Sequence, residues 1–170
     1  MKNKTYLITL LITVLSCGLV NWFLALGLPD KVATHFNMDG KPDDFMTLGN
    51  YQIFISLFTI LFPFFMCFMI GVLPGLIPTF ANIPNRDFWF SPAQKQTTLN
   101  YLFGMGSKMG ILMALFFVGM NLVTVLANKN VPQQLPMVPF FILLGLFLLS
   151  VLIWVILLTL KFKRIDASTV

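Results

Sequence analysis

The chain has 170 residues, 58% of them hydrophobic and only 10% charged, with a formal net charge of +5. A soluble domain carries roughly 25% charged residues, so this composition excludes an ordinary water-soluble domain and places the chain in a membrane. The basic residues fall at the ends of apolar runs and form no single patch, which reads as orientation signals and excludes nucleic acid as the expected partner.

A transmembrane helix needs about 20 mostly apolar residues, and four runs qualify: about 6–28, 51–80, 101–127 and 136–160. The first follows Lys2 and Lys4 but is too long for a signal peptide and lacks a small-x-small cleavage site. Val14-Leu15-Ser16-Cys17 only faintly resembles a lipoprotein box, because the residues after Cys17 stay apolar to Leu28. Asn21 lies in this first run. Asn121 lies at a similar depth in the third, which runs in the same direction. A carboxamide in lipid needs a partner, so the two are expected to face the interior and meet, or else to bond their own helix carbonyls.

The segment 29–50 follows. It holds Asp30, Asp39, Asp43 and Asp44, four of the six acidic residues, and the only histidine, His35. Val32 to Phe36 alternates as a short strand, Asp39-Gly40 is a turn pair, and Pro42 blocks further helix. The segment therefore reads as a compact, turn-rich cap, a small hairpin in its simplest form. His35, Asn37, Asp39, Gly40 and Asp43 are its candidate ligand- or partner-binding residues. An EF-hand frame starting at His35 puts Asn37, Asp39 and Gly40 in place. It fails at its first and twelfth positions, where His35 and Met46 stand for acidic ligands. A looser site from His35, Asp39, Asp43 and Asp44 is the alternative to a cap held by hydrogen bonds alone, and no metal is expected. Histidine changes charge near neutral pH, so His35 gives an outer face room for pH sensing.

The second run contains Pro63, Pro74 and Pro78, which predict a kink near Pro63 and an end at 74–78. A cytoplasmic loop over about 81–100 comes next, with Asn85, Arg86 and Trp89 as candidates. Phe88, Trp89 and Phe90 suit a lipid–water anchor or, alternatively, a docking site. Ser91, Pro92 and Gln94 predict a helix start near Pro92. In the third run Lys108 is expected to snorkel to the surface, and Gly106 and Gly110 form a GxxxG spacing that hints at close helix packing. Cys17 and Cys67 sit in apolar runs with no metal or disulfide spacing. Ser16, Ser56 and Ser150 lie in spans with no activating base, and Gly104-Met105-Gly106 lacks the context of a phosphate loop. No enzyme activity and no cofactor is expected.

With the N-terminus inside, eight basic residues fall on inner segments and three (Lys31, Lys41, Lys129) on outer ones. The bias predicts cytoplasmic termini and an extracytoplasmic cap.

The order Leu28-Pro29 … His35-Phe36-Asn37 … Gly40 … Asp43 resembles a bacterial domain of unknown function found in SdpI-like membrane proteins. Asn85-Arg86-Asp87-Phe88-Trp89 is similar to a stretch in small members of that group, and the likeness covers about the first 100 residues. The resemblance implies a bacterial plasma-membrane protein. Its loop is shared with proteins that sense or neutralise a secreted toxic peptide.

The expectation is a single all-α integral membrane domain over 1–170. It is a four-transmembrane-helix bundle with a small extracytoplasmic cap between helices 1 and 2. Its role is non-enzymatic: sensing, immunity or accessory interaction, with the lipid bilayer and an extracytoplasmic peptide or membrane protein as partners. A small transporter or channel subunit is the alternative.

Overall fold

The structure, a computed structural model, describes residues 2–165. Its elements are α1 (Lys2–Ala25), β1 (Lys31–Phe36), β2 (Pro42–Thr47), α2 (Leu48–Gly71), the short α3 (Leu73–Leu76), a 3-10 turn (Pro78–Phe80), α4 (Arg86–Trp89), α5 (Lys95–Lys129) and α6 (Met137–Lys163). Four helices are long and apolar enough to cross a membrane: Lys2–Ala25, Leu48–Leu76, Lys95–Lys129 and Met137–Lys163. Lipid offers no hydrogen bonds to the backbone, so apolar runs of this length are stable only as helices that satisfy themselves.

The four spans are not equivalent. The helices α1, α2 and α5 pack tightly on one another, whereas α6 leans on α5. Phe162 is the one buried residue of α6. The expected four-helix bundle is thus a three-helix core with a fourth helix against one member. Phe116 of α5 stacks on Phe147 of α6 at 4.1 Å between centroids, and Trp154 Nε1 donates to the Met105 carbonyl at 3.0 Å.

Two glycines explain how α5 reaches α2. A Cβ on Gly110 would lie 2.8 Å from the Pro63 carbonyl oxygen, and one on Gly106 would lie 3.0 Å from that of Cys67. The GxxxG spacing therefore marks a real close approach of two backbones. Helix α2 runs unbroken through Pro63, and the break falls at Val72, before Pro74. The helix start near Pro92 is corrected. Ser91 offers its carbonyl, not its side chain, to the amides of Gln94 and Lys95. Regular helix then begins at Lys95, with no side-chain cap.

The aromatic anchor is also corrected at Trp89. Its ring is buried, edge-on to Phe162 at 5.5 Å. Its Nε1 donates to the Phe162 carbonyl at 2.8 Å. Asn85, in the left-handed region at φ 54, donates its side-chain amide to the carbonyls of Phe162 and Lys163 at 3.1 and 3.2 Å. The last carbonyls of a helix have no partner within it. Here Asn85 and Trp89 supply them, so the loop between spans two and three closes the end of α6.

Candidate functional site

The cap is an antiparallel strand pair whose register runs from Lys31 opposite Thr47 to Phe36 opposite Pro42, with irregularities on either side of His35. Pro42 is tolerated because it opens the strand, where its missing N–H costs no ladder bond. The turn is organised by Asn37, whose Oδ1 accepts from the amides of Asp39 and Lys41, both at 3.0 Å. Gly40 sits at φ +75, a conformation that a side chain disfavours. Asn37 and Gly40 therefore shape the turn, and what remains exposed at its tip is Met38, at 97%.

The hairpin is fixed to the bundle from both faces. Below it, Val32 is fully buried with Ala25, Leu28, Tyr51, Ile55 and Val125. At its side, Asn128 near the end of α5 acts as a surrogate strand. Its Oδ1 accepts from the Ala33 amide at 2.8 Å, and its Nδ2 donates to the Ala33 carbonyl at 2.9 Å. The Leu135 amide donates to the Gly40 carbonyl at 2.9 Å. A cleft of about 410 Å³ lies beside the hairpin, walled by Lys41 and Pro42 on one side and by Pro132, Gln133 and Gln134 on the other.

His35 and Asp43 project from the two strands and meet, Nδ1 to Oδ1, at 2.5 Å, with side chains 70% and 45% exposed. An exposed pair of this kind adds little stability. Asp39 is exposed beside the tip. Asp44 accepts from the Phe45 amide at 2.7 Å. Among the described residues no three His, Cys, Asp or Glu side chains converge as metal ligands.

Beneath the cap lies a buried polar network. Asn121 Nδ2 donates to Asn21 Oδ1 at 3.0 Å and to the Asn21 carbonyl at 3.1 Å. Asn21 Nδ2 donates to Thr59 Oγ1 at 2.7 Å, and the Tyr51 hydroxyl donates to Asn121 Oδ1 at 2.7 Å. Asn21, Asn121 and Thr59 are wholly buried. The two amides placed at equal depth by counting residues are in direct contact, and Tyr51 and Thr59 bring α2 into the same network. Sequence reasoning missed Tyr51, Thr59 and Asn128. A hydroxyl inside an apolar run was the available signal for Thr59; nothing local marks Asn128.

The remaining candidates lie at the opposite end. Among the described residues Arg86 pairs with its neighbour Asp87, at 3.5 Å, and Lys108 is exposed on α5. With Asn85 and Trp89 engaged in closing α6, the candidates fall into two groups at the two ends of the molecule, with Asn21 and Asn121 between.

The docking makes a direct prediction. Asn128→Ala removes both bonds to Ala33 and frees one edge of β1. Limited proteolysis should then cut within residues 37–41 at least several-fold faster than in the parent protein, while the membrane-embedded helices stay resistant. Equal rates would show that burial of Val32 and the Leu135–Gly40 bond hold the hairpin without Asn128.

Residues 11–66 match the family described as "Domain of unknown function (DUF1648)". The matched stretch spans most of α1, the hairpin and α2 as far as Met66. Neither a curated protein nor a solved structure matches the chain.

Proposed function

We propose that this chain is a non-enzymatic, SdpI-like recognition protein of the bacterial plasma membrane, with cytoplasmic termini and a hairpin that meets an extracytoplasmic peptide or membrane-protein partner. The observation that supports this reading is the pairing of a fixed hairpin with an unused tip. Asn128, Leu135 and the apolar contacts of Val32 hold the strands. Met38 at the tip is 97% exposed and contributes nothing to that anchorage. A pre-ordered loop binds at lower entropic cost than a mobile one. His35, Asp43 and Asp39 supply charge and hydrogen bonding beside the apolar Met38, the mixture expected of a small recognition surface. The alternative, a transporter or channel subunit, needs polar groups along a path through the bilayer. Asn21, Thr59, Tyr51 and Asn121 are instead spent on one another, which favours a structural use.

Topology and recognition are tested together. On a background lacking Cys17 and Cys67, a cysteine at Lys41 should react with an impermeant thiol reagent in intact cells. A cysteine at Gln94 should react only after permeabilisation. A photoreactive residue in place of Met38 should then give a discrete adduct with an extracytoplasmic or membrane partner, weakened by Asp43→Asn. Labelling of position 94 alone would invert the topology. The absence of any adduct from position 38 would remove the recognition role.

A further inference from the structure

The end of the bundle opposite the hairpin carries a cleft of about 450 Å³ between the first turns of α1 and the start of α5. Its walls include Lys2 and Tyr6 from α1 and Asn100, Tyr101 and Lys108 from α5, and no carboxylate lines it. Asn3 Nδ2 donates to Asn100 Oδ1 at 2.8 Å, and Gln96 Nε2 donates to the same oxygen at 3.1 Å. The Asn100 amide nitrogen is thereby left as a donor. Gly104 has no side chain to displace the Tyr6 ring, which a Cβ there would meet at 2.9 Å. The cleft thus offers two ammonium groups, two phenols and an amide nitrogen, a donor-rich set suited to an anion.

Lys108 decides what kind of anion. It lies eight residues beyond Asn100, which at about 1.5 Å per residue is about 12 Å further into the bundle. Side chains on a helix lean toward its N-terminus, so Lys108 leans back toward the cleft. It has no ion pair among the described residues. An intramembrane cation without a counter-charge is costly and marks a ligand path by default. The 3.6-residue repeat puts Lys108, Leu112 and Leu115 on one face of α5. Leu112 and Leu115 line an apolar groove against Leu143 and Leu146 of α6. A basic cleft continues down one helix face into an apolar groove, which is the layout of a phospholipid.

We infer that this face of α5 holds one anionic phospholipid, with its phosphate between Lys2 and Lys108 and an acyl chain along Leu112 and Leu115. The inference stands independently of the hairpin's role.

The test is native mass spectrometry of the full chain in detergent, titrated with phosphatidylglycerol or with phosphatidylcholine of the same acyl chains. Phosphatidylglycerol should be retained in preference. Lys108→Gln should weaken it about fivefold, the contribution of one basic residue at an anionic membrane surface. Lys2→Gln should act in the same direction, and Lys41→Gln, at the hairpin end, should not. Equal retention of the two lipids would overturn the inference, as would unchanged phosphatidylglycerol binding in both Lys108→Gln and Lys2→Gln. Displacement of the lipid by millimolar inorganic phosphate would also overturn it, by assigning the cleft to a soluble anion.

Discussion

Gly110→Leu should prevent the three-helix core from closing. A Cβ at this position meets the Pro63 carbonyl oxygen at 2.8 Å and Leu10 Cδ1 at 2.9 Å. The leucine contact could be relieved by a rotamer change, but the Pro63 carbonyl is backbone within α2 and cannot step aside without moving the helix. Overpacking a core typically costs about 1–3 kcal/mol and occasionally more. Here the obstruction is rigid and sits where three helices meet, so a loss of about 3 kcal/mol or more is expected. Gly106→Ala, with backbone at 3.0 and 3.1 Å, should fall between Gly110→Leu and the parent. Gly145→Leu is the control, since a Cβ there meets nothing within 4 Å. Thermal unfolding in detergent should separate Gly110→Leu from Gly145→Leu by many degrees. Coincident melting would mean that α2 and α5 are not held at this distance.

Much of the architecture was legible because membranes restrict the choices. A run such as 137–163 can only be a helix, and Asp39-Gly40 can only be a turn of few types. Counting residues from the span ends placed Asn21 and Asn121 at similar depth, since parallel helices keep equal rise, and left open whether they meet or bond their own helix carbonyls; in the structure they meet. The parts that were not legible depend on contacts between distant segments. Trp89 has the composition of an interfacial anchor, and only the arrival of the α6 carbonyls makes it a buried cap. Asn128 looks like any polar residue at a helix end. Its role comes from the edge of β1, 95 residues away. That α5 is the one span α6 leans on was illegible for another reason. A helix that is apolar all round carries no stripe to say which face is covered by protein and which by lipid.

Asn37 and Gly40 are explained by turn geometry, which leaves His35, Met38, Asp39 and Asp43 as the residues whose identity the fold does not require. If the hairpin has the recognition role proposed above, substitutions at Asn37 or Gly40 should act on it through the shape of the hairpin, and those at Met38 or Asp43 directly. The distinction matters because the matched family region, residues 11–66, contains the hairpin but not Asn128 or Leu135. The second half of the chain completes the anchorage of a loop that the first half encodes.

Asn121→Leu should be the most damaging of the polar substitutions. Asn121 makes three of the network's bonds: it accepts from Tyr51 and donates twice to Asn21. A single interhelical hydrogen bond in a membrane averages about 0.6 kcal/mol, but that figure describes a pair in which both partners can find substitutes. A buried group left without a partner costs about 1–3 kcal/mol. Leucine at 121 would take its acceptor from the Tyr51 hydroxyl, which is almost fully buried and keeps only the Thr124 side chain as a hydrogen-bonding neighbour. The expected loss is therefore about 2 kcal/mol. Tyr51→Phe alone should cost about 1 kcal/mol, because it leaves one Asn121 oxygen underused. Combined with Asn121→Leu it removes that hydroxyl. The double variant should consequently be no less stable than Asn121→Leu alone, a coupling that distant sites do not show. Unfolding titrations of the parent, the two single variants and the double variant measure the cycle. Strict additivity would mean that the Tyr51 hydroxyl finds another acceptor, and that the network beneath the hairpin is a set of separate bonds and not one unit.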